Sequence, residues 1–166
     1  MSEKRLVIDG LEIAYTGLFD IDGLLRTIDK VSSQLGYIKQ EKRREELVRE
    51  TGKEFYMELR PVKVKTDYFV LMIKIRMEMT GIKDVEVVKD NINTRLQEGK
   101  VNVLIDGWTT TDYEFRWEQK PLFYFLRNLF ERFIYKFHVD RFTEELASDC
   151  HVIRDEIKAF LELHRF

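Results

Sequence analysis

Cysteine, proline and linker-type sequence are scarce in this chain of 166 residues. The one cysteine, Cys150, excludes an internal disulfide and a cysteine-rich zinc site, and such cysteine usage is typical of a reducing cytoplasm. Only Pro61 and Pro121 interrupt the sequence, and no repeat, low-complexity tract or Ser/Gly-rich stretch marks a domain boundary. We therefore expect residues 1–166 to form a single domain.

An excess of charge of either sign is also missing. The sequence has 28 Lys and Arg against 30 Asp and Glu, and the basic run 42–44 is flanked by Glu41, Glu45 and Glu46. Because nucleic-acid binding gains affinity from released counterions and needs a basic excess, we expect no nucleic-acid partner. The few asparagines and glutamines, beside abundant Lys, Arg and Glu, are typical of many heat-adapted proteins.

Long apolar runs are absent from the sequence. The longest, 69–73 and 122–126, are far shorter than the roughly 18 residues that a helix needs to cross a bilayer. The charged start at 1–5 does not lead into the apolar core of a signal peptide. These features predict a soluble, cytoplasmic protein without a membrane span.

Alternating apolar residues predict several strands in the N-terminal half. The first covers 5–16, around a turn signal at Asp9-Gly10. Segment 38–50 is rich in charge, and we interpret it as a solvated edge strand, which turns at Thr51-Gly52-Lys53 into a strand ended by Pro61. Between the first two strands, residues at helical spacing predict a helix with Asp20 as its N-cap and Gly36 as its left-handed C-terminal residue.

The clearest strand is 67–79, where one face is entirely apolar and the charged residues Lys74, Arg76 and Glu78 point to the other. We expect Gly81 to end this strand and Val85 to begin another. The apolar face comprises Phe69, Leu71, Ile73, Ile75, Met77 and Met79. Further turns are predicted at 90–91 and 98–99, and a last strand over 101–105.

Helices are predicted for the C-terminal third. Thr111-Asp112-Tyr113-Glu114 matches a capping box, Pro121 suits the first turn of a helix over 121–138, and Asp140 or Thr143 can cap a last helix. The element order predicts an α+β fold. Its antiparallel, curved sheet packs against one N-terminal helix and long C-terminal helices.

This element order resembles the helix-grip (START-like) superfamily, in which a curved antiparallel sheet wraps a long C-terminal helix. The resemblance implies an apolar cavity between the sheet and that helix. The run from Asp112 to Trp117, followed by 121–127, is also similar to small archaeal proteins of uncharacterised activity. That second likeness implies no particular chemistry.

An apolar pocket between sheet and helices is the first candidate site. Thioether side chains adapt to varied ligands, so the strand face that carries methionines could line such a pocket, although a packed core explains the same pattern. The aromatic helix 121–138 could pack on the sheet, form the seam of a homodimer or meet a lipid surface. The residues that we predict to bind a hydrophobic ligand are Met57, Ile73, Met77, Trp117 and Phe130.

The alternative is an enzyme of the same fold that uses carboxylates near Asp112 and Glu114, beside aromatic rings. Cys150 and His151 are adjacent on a helix and so do not face each other as a catalytic dyad would. No sequence motif predicts a cofactor or a metal site. The favoured hypothesis is therefore a non-catalytic domain that binds a hydrophobic small molecule or a protein partner, with a homodimer as the first choice of partner.

Overall fold

A computed structural model of the protein describes residues 3–66, 69–111, 125–126, 129 and 136–164. The chain is α+β, as predicted, with two helices and six strands in these ranges. The elements are β1 (Glu3–Phe19), α1 (Ile21–Gln34), β2 (Glu41–Arg49), β3 (Gly52–Leu59), β4 (Val62–Val64), β5 (Phe69–Lys89), β6 (Ile92–Thr111) and α2 (Lys136–Glu162). No helix in the described ranges is long and apolar enough to cross a membrane.

All strand pairs in the sheet are antiparallel, in the order β1-β6-β5-β3-β2, and β4 pairs with β5 beyond the end of β3. β1 and β2 are therefore the two edge strands. β2 is exposed along its whole length, which confirms the predicted solvated edge. The long hairpin of β5 and β6 turns at Asp90 and Asn91, whose φ values of 52° and 61° suit the predicted two-residue turn.

Two predicted strand breaks, at Gly81 and at 98–99, are wrong, because the strand continues through the glycine at each of them. Gly81, at φ 63°, lies in a bulge between Thr80 and Lys83, and β5 continues beyond it through Val85. Gly10, at φ 68°, lies in a similar irregularity of β1. Gly99 pairs with Gly17 in the middle of β6. A bulge accommodates an extra residue by bending the strand, so turn-type residues do not always end one.

The predicted apolar face of β5 is confirmed as the centre of the core. Leu71, Ile73 and Ile75 have no exposed surface. An apolar stripe of α2 is also buried against them, at Leu146, Cys150, Ile153, Ile157 and Leu161. α2 contacts β1, β5, β6 and α1, and α1 adds Leu24, Ile28 and Val31 to the same apolar cluster.

The two ends of α1 differ in how well the sequence predicts them. Gly36 adopts φ 90°, as predicted, and its N–H donates to the Ser33 carbonyl while the Tyr37 N–H donates to the Ser32 carbonyl. These two bonds form a Schellman motif. Asp20 does occupy the N-cap position, but its side chain makes no capping hydrogen bond. Oε1 of Gln97, on β6, accepts a hydrogen bond from the first helical N–H instead, at 3.1 Å.

The predicted break near Asp140 is wrong, because α2 is continuous from Lys136 to Glu162. Asp140 and Thr143 lie inside it rather than at caps, and Val139 and Phe142 already pack against the core in its first turns. Apolar spacing that continues through a potential cap keeps the helix intact. The capping box beyond Thr111 and most of the helix predicted over 121–138 lie outside the described residues.

Candidate functional site

The described residues predicted to bind a ligand lie together in the core. Met57 is 2% exposed, and Ile73 and Met77 are fully buried in the same apolar cluster. The structure thus brings the three together, and their role in binding a ligand stays a prediction. Trp117 and Phe130 lie outside the described residues, as do Asp112 and Glu114 of the enzyme alternative.

Cys150 has the environment of a packing residue. Burial raises the pKa of its thiol to about 12, and the negative charges of Asp149 and Asp106 act in the same direction. A thiol that stays protonated is a poor nucleophile. Its neighbour His151 is exposed, together with Asp155, and the described part of the chain contains no group of three side chains that could hold a metal ion.

A groove of about 630 Å³ lies between the edge of β1 and the side of α2. Five consecutive residues of β1 form one wall, from Glu12 to Thr16. The other wall comes from α2 and comprises Arg154, Asp155, Lys158, Leu161 and Glu162. The groove therefore joins a strand edge to a charged helix surface.

The hydrogen bonds of β5 decide which backbone groups face this groove. The N–H of Ile73 donates to the carbonyl of Pro61, on the side of β5 where β3 and β4 lie, at 3.0 Å. The N–H and C=O groups of successive strand residues point to opposite edges. The even-numbered residues of this part of β5, such as Lys74 and Arg76, therefore point their N–H and C=O groups to the opposite edge, toward β6.

The same alternation extends across β6 to β1. Arg76 is opposite Leu104, so the backbone N–H and C=O groups of Leu104 form their hydrogen bonds with β5. The backbone groups of the neighbouring residue, Val103, point the other way and form theirs with β1. Val103 is opposite Ile13, whose backbone groups are thus used within the sheet. The even-numbered residues of this segment point their N–H and C=O groups the other way, away from β6 and toward the groove. They are Glu12, Ala14 and Thr16.

The two edges of the sheet are protected to different degrees. In β2, seven of the nine residues are charged, and charge on an edge strand discourages pairing with another strand. β1 has charged residues at its start, 3–5, and an irregularity near Gly10, both of which also discourage pairing. Its segment 11–16 is regular and carries one charge, at Glu12. This segment is the least protected part of either edge.

The charges on the helix wall balance one another. Arg154 donates from Nε and Nη2 to Oδ1 of its neighbour Asp155, at 2.9 and 2.8 Å. Lys158 makes no ion pair with any residue that the structure describes. With Glu162, this wall has two positive and two negative side chains. A partner in the groove therefore meets alternating charges rather than a field of one sign.

A second polar cluster joins α2 to β4 and to the end of α1. The hydroxyl of Tyr37 donates to Oδ2 of Asp149 at 2.9 Å. Nζ of Lys63 lies 2.6 Å from Oε1 of Glu145 and donates to the carbonyl of Leu35 at 2.7 Å. Nζ of Lys65 lies 2.9 Å from Oε2 of Glu145.

The protonation states of this cluster agree with a structural role. Burial raises the pKa of the Tyr37 hydroxyl, and the Asp149 carboxylate raises it further. Burial alone would raise the pKa of Glu145, but hydrogen bonds from Lys63 and Lys65 lower it below its ordinary value. Each of these groups already has a partner inside the cluster, so we interpret it as an anchor for α2.

Neither the groove nor the cluster was identified from the sequence. The alternation of 11–16 predicts a strand, but it does not show that the strand lies at an edge or that α2 runs beside it. The Val-Lys-Val-Lys run at 62–65 likewise gives no sign that its lysines meet Glu145, about eighty residues later. Long-range pairing of this kind depends on topology.

No protein-family model matches the chain, and neither a search of curated proteins nor a search of solved structures finds a match. The resemblances to the helix-grip superfamily and to small archaeal proteins therefore stay predictions.

Proposed function

We propose that this chain is a non-catalytic protein-binding domain that accepts an extended segment of a partner along β1. The observation that carries the proposal is the set of backbone groups of Glu12, Ala14 and Thr16, which point into a groove from an edge with little protection. An added strand gains main-chain hydrogen bonds at such an edge, and side chains beside it supply specificity. The helix wall of the groove would contact the side chains of the bound segment.

A protein segment fits the described residues better than the other ligand class predicted from the sequence, a hydrophobic small molecule. Met57, Ile73 and Met77 are buried in one apolar cluster with α1 and α2, so a ligand there must displace packed side chains. Among the residues that the structure describes, the groove at β1 is open without any rearrangement. A cytoplasmic location, predicted from the single cysteine, belongs to the same proposal.

A peptide selection with a blocked edge as its control tests this function. Ala14→Pro removes the outward N–H, whereas Ala14→Ser keeps it, and proline is tolerated on an edge strand where its missing N–H faces solvent. Peptides from a random library should be selected on the wild-type domain and measured by fluorescence anisotropy. We expect extended, proline-poor peptides that bind the wild type and Ala14→Ser but not Ala14→Pro. Peptides that bind all three proteins equally, or a selection that enriches none, would contradict the proposal.

A further inference from the structure

We infer that the segment bound at this edge is β1 of a second copy of the chain, paired antiparallel across a two-fold axis at Ala14. The inference rests on the proposed function and names its partner. Two symmetric copies would then share one continuous sheet through their β1 strands. Such an interface uses the same residues on both copies, so these residues must complement themselves.

The backbone of β1 meets this condition. In an antiparallel pair, the residues whose N–H and C=O groups point toward the partner exchange two hydrogen bonds with the residue opposite. With the axis at Ala14, the two Ala14 residues form one such pair and Glu12 of each copy lies opposite Thr16 of the other. All three residues point their groups outward, so the strands gain about six hydrogen bonds. No charged side chain is opposite one of the same sign.

The helix wall is self-complementary as well. Its residues run from Arg154 to Glu162, and their midpoint is Lys158. The axis that reverses β1 also reverses α2, so Arg154 of each copy approaches Glu162 of the other. The Lys158 side chains of the two copies face each other across the axis, and Asp155 and Glu162 on either side supply the negative charge that offsets them. The wall has no net charge, so a second copy meets no overall repulsion there.

The opposite edge is unsuited to the same pairing. The same alternation shows which residues of β2 point outward. The backbone groups of Phe55 and Met57 form their hydrogen bonds with β5, so the β2 residues opposite them point their own N–H and C=O groups away from β3. Those residues are Arg44 and Glu46, within the charged run of β2. Burying that run between two sheets would desolvate several charges at once. Of these two edge strands, β1 is therefore the one suited to pairing with a second copy.

Sedimentation velocity over a range of protein concentrations tests the inference. We expect the wild type and Ala14→Ser to form dimers, and Ala14→Pro to be a monomer with a cooperative thermal melt. A wild type that stays monomeric at every concentration would overturn the inference. So would an Ala14→Pro protein that dimerises as the wild type does.

A charge exchange tests the geometry without changing the backbone of β1, in case Ala14→Pro does not fold. Arg154→Glu places two acidic groups together across the axis and should weaken the dimer about tenfold, whereas Arg154→Glu combined with Glu162→Arg should restore it. Failure of the double variant to restore dimerisation would contradict the antiparallel arrangement of the helices. A wild type that stays monomeric but still binds the selected peptides would overturn only this inference, whereas a wild type that neither dimerises nor binds any selected peptide would also reject the proposed function.

Discussion

The backbone N–H of Gly10 donates a 2.8 Å hydrogen bond to Oδ1 of Asp106, which lies on the neighbouring strand and is 6% exposed. The second oxygen of this carboxylate accepts a 2.9 Å hydrogen bond from Nη2 of Arg76. The irregularity of β1 at Gly10 takes its N–H out of the regular ladder, and Asp106 supplies the missing acceptor. The Asp106 carboxylate thus links the bend in β1 to the Arg76 side chain of β5 through hydrogen bonds to both.

Asp106→Ala should lower the free energy of unfolding by about 2–3 kcal/mol, because it leaves the Gly10 donor and the Arg76 guanidinium without this acceptor. Asp106→Asn is the matched control and should cost less, since its amide oxygen can still accept from Gly10. Urea denaturation followed by circular dichroism measures both. Equal stability of the alanine variant and the wild type would show that water replaces the carboxylate.

Ile73→Asp should unfold the domain, because Ile73 has no exposed surface and the new carboxylate would be unpaired in the apolar core. Ile73→Val should cost only about 0.5–1.5 kcal/mol. Glu78→Gln, on the exposed face of the same strand, should leave the melting temperature nearly unchanged. A cooperative melt of Ile73→Asp near the wild-type temperature would contradict the assignment of the inward face.

Local patterns explain why so much of the fold could be predicted. The alternation in 69–79 and the stripe that contains Cys150 each report burial directly, since a side chain facing the core must be apolar whichever element covers it. The sequence signals at Gly10 and Gly81 fit a turn and a bulge equally well, because a left-handed residue serves both. Only the register of the neighbouring strand distinguishes the two.

The candidate site was harder to predict, because it consists of backbone groups and of contacts between distant elements. The outward-pointing N–H of Ala14 has no signature in the sequence, since any strand residue has the same group. Its orientation follows from a hydrogen bond between Ile73 and Pro61 that lies two strands away. The sequence did predict the charged edge of β2, because seven charges in nine residues are incompatible with burial.

Stability should fall at acidic pH in a way that depends on Glu145. Lys63 and Lys65 hold the pKa of this carboxyl below its ordinary 4.5 in the folded protein. A depressed pKa stabilises the fold above the unfolded pKa, and this stabilisation is lost as the pH falls through the folded value. We therefore expect the melting temperatures of the wild type and Glu145→Gln to differ most near neutral pH and to converge as the pH falls through the folded pKa of Glu145. A difference that is independent of pH would show that the ion pairs with the two lysines do not stabilise the fold.

The last prediction concerns the close approach of α2 to β6 at Gly107. A β-carbon placed on Gly107 would lie 3.0 Å from Sγ of Cys150 and 3.3 Å from Cγ of Leu146. Both neighbours are fully buried and have little room to move. Gly107→Ala should therefore destabilise the protein by about 1–3 kcal/mol, through overpacking.

Removal of the sulfur should relieve this strain, so we expect the two substitutions to be non-additive. Cys150→Ala alone should cost about 1 kcal/mol, because it deletes a small buried group. In the Cys150→Ala background, Gly107→Ala should cost clearly less than it does in the wild type, since the added methyl group occupies the space that the sulfur leaves. A double-mutant cycle of urea denaturation curves measures this coupling. Additive effects would mean that α2 does not contact β6 at Gly107 through Cys150.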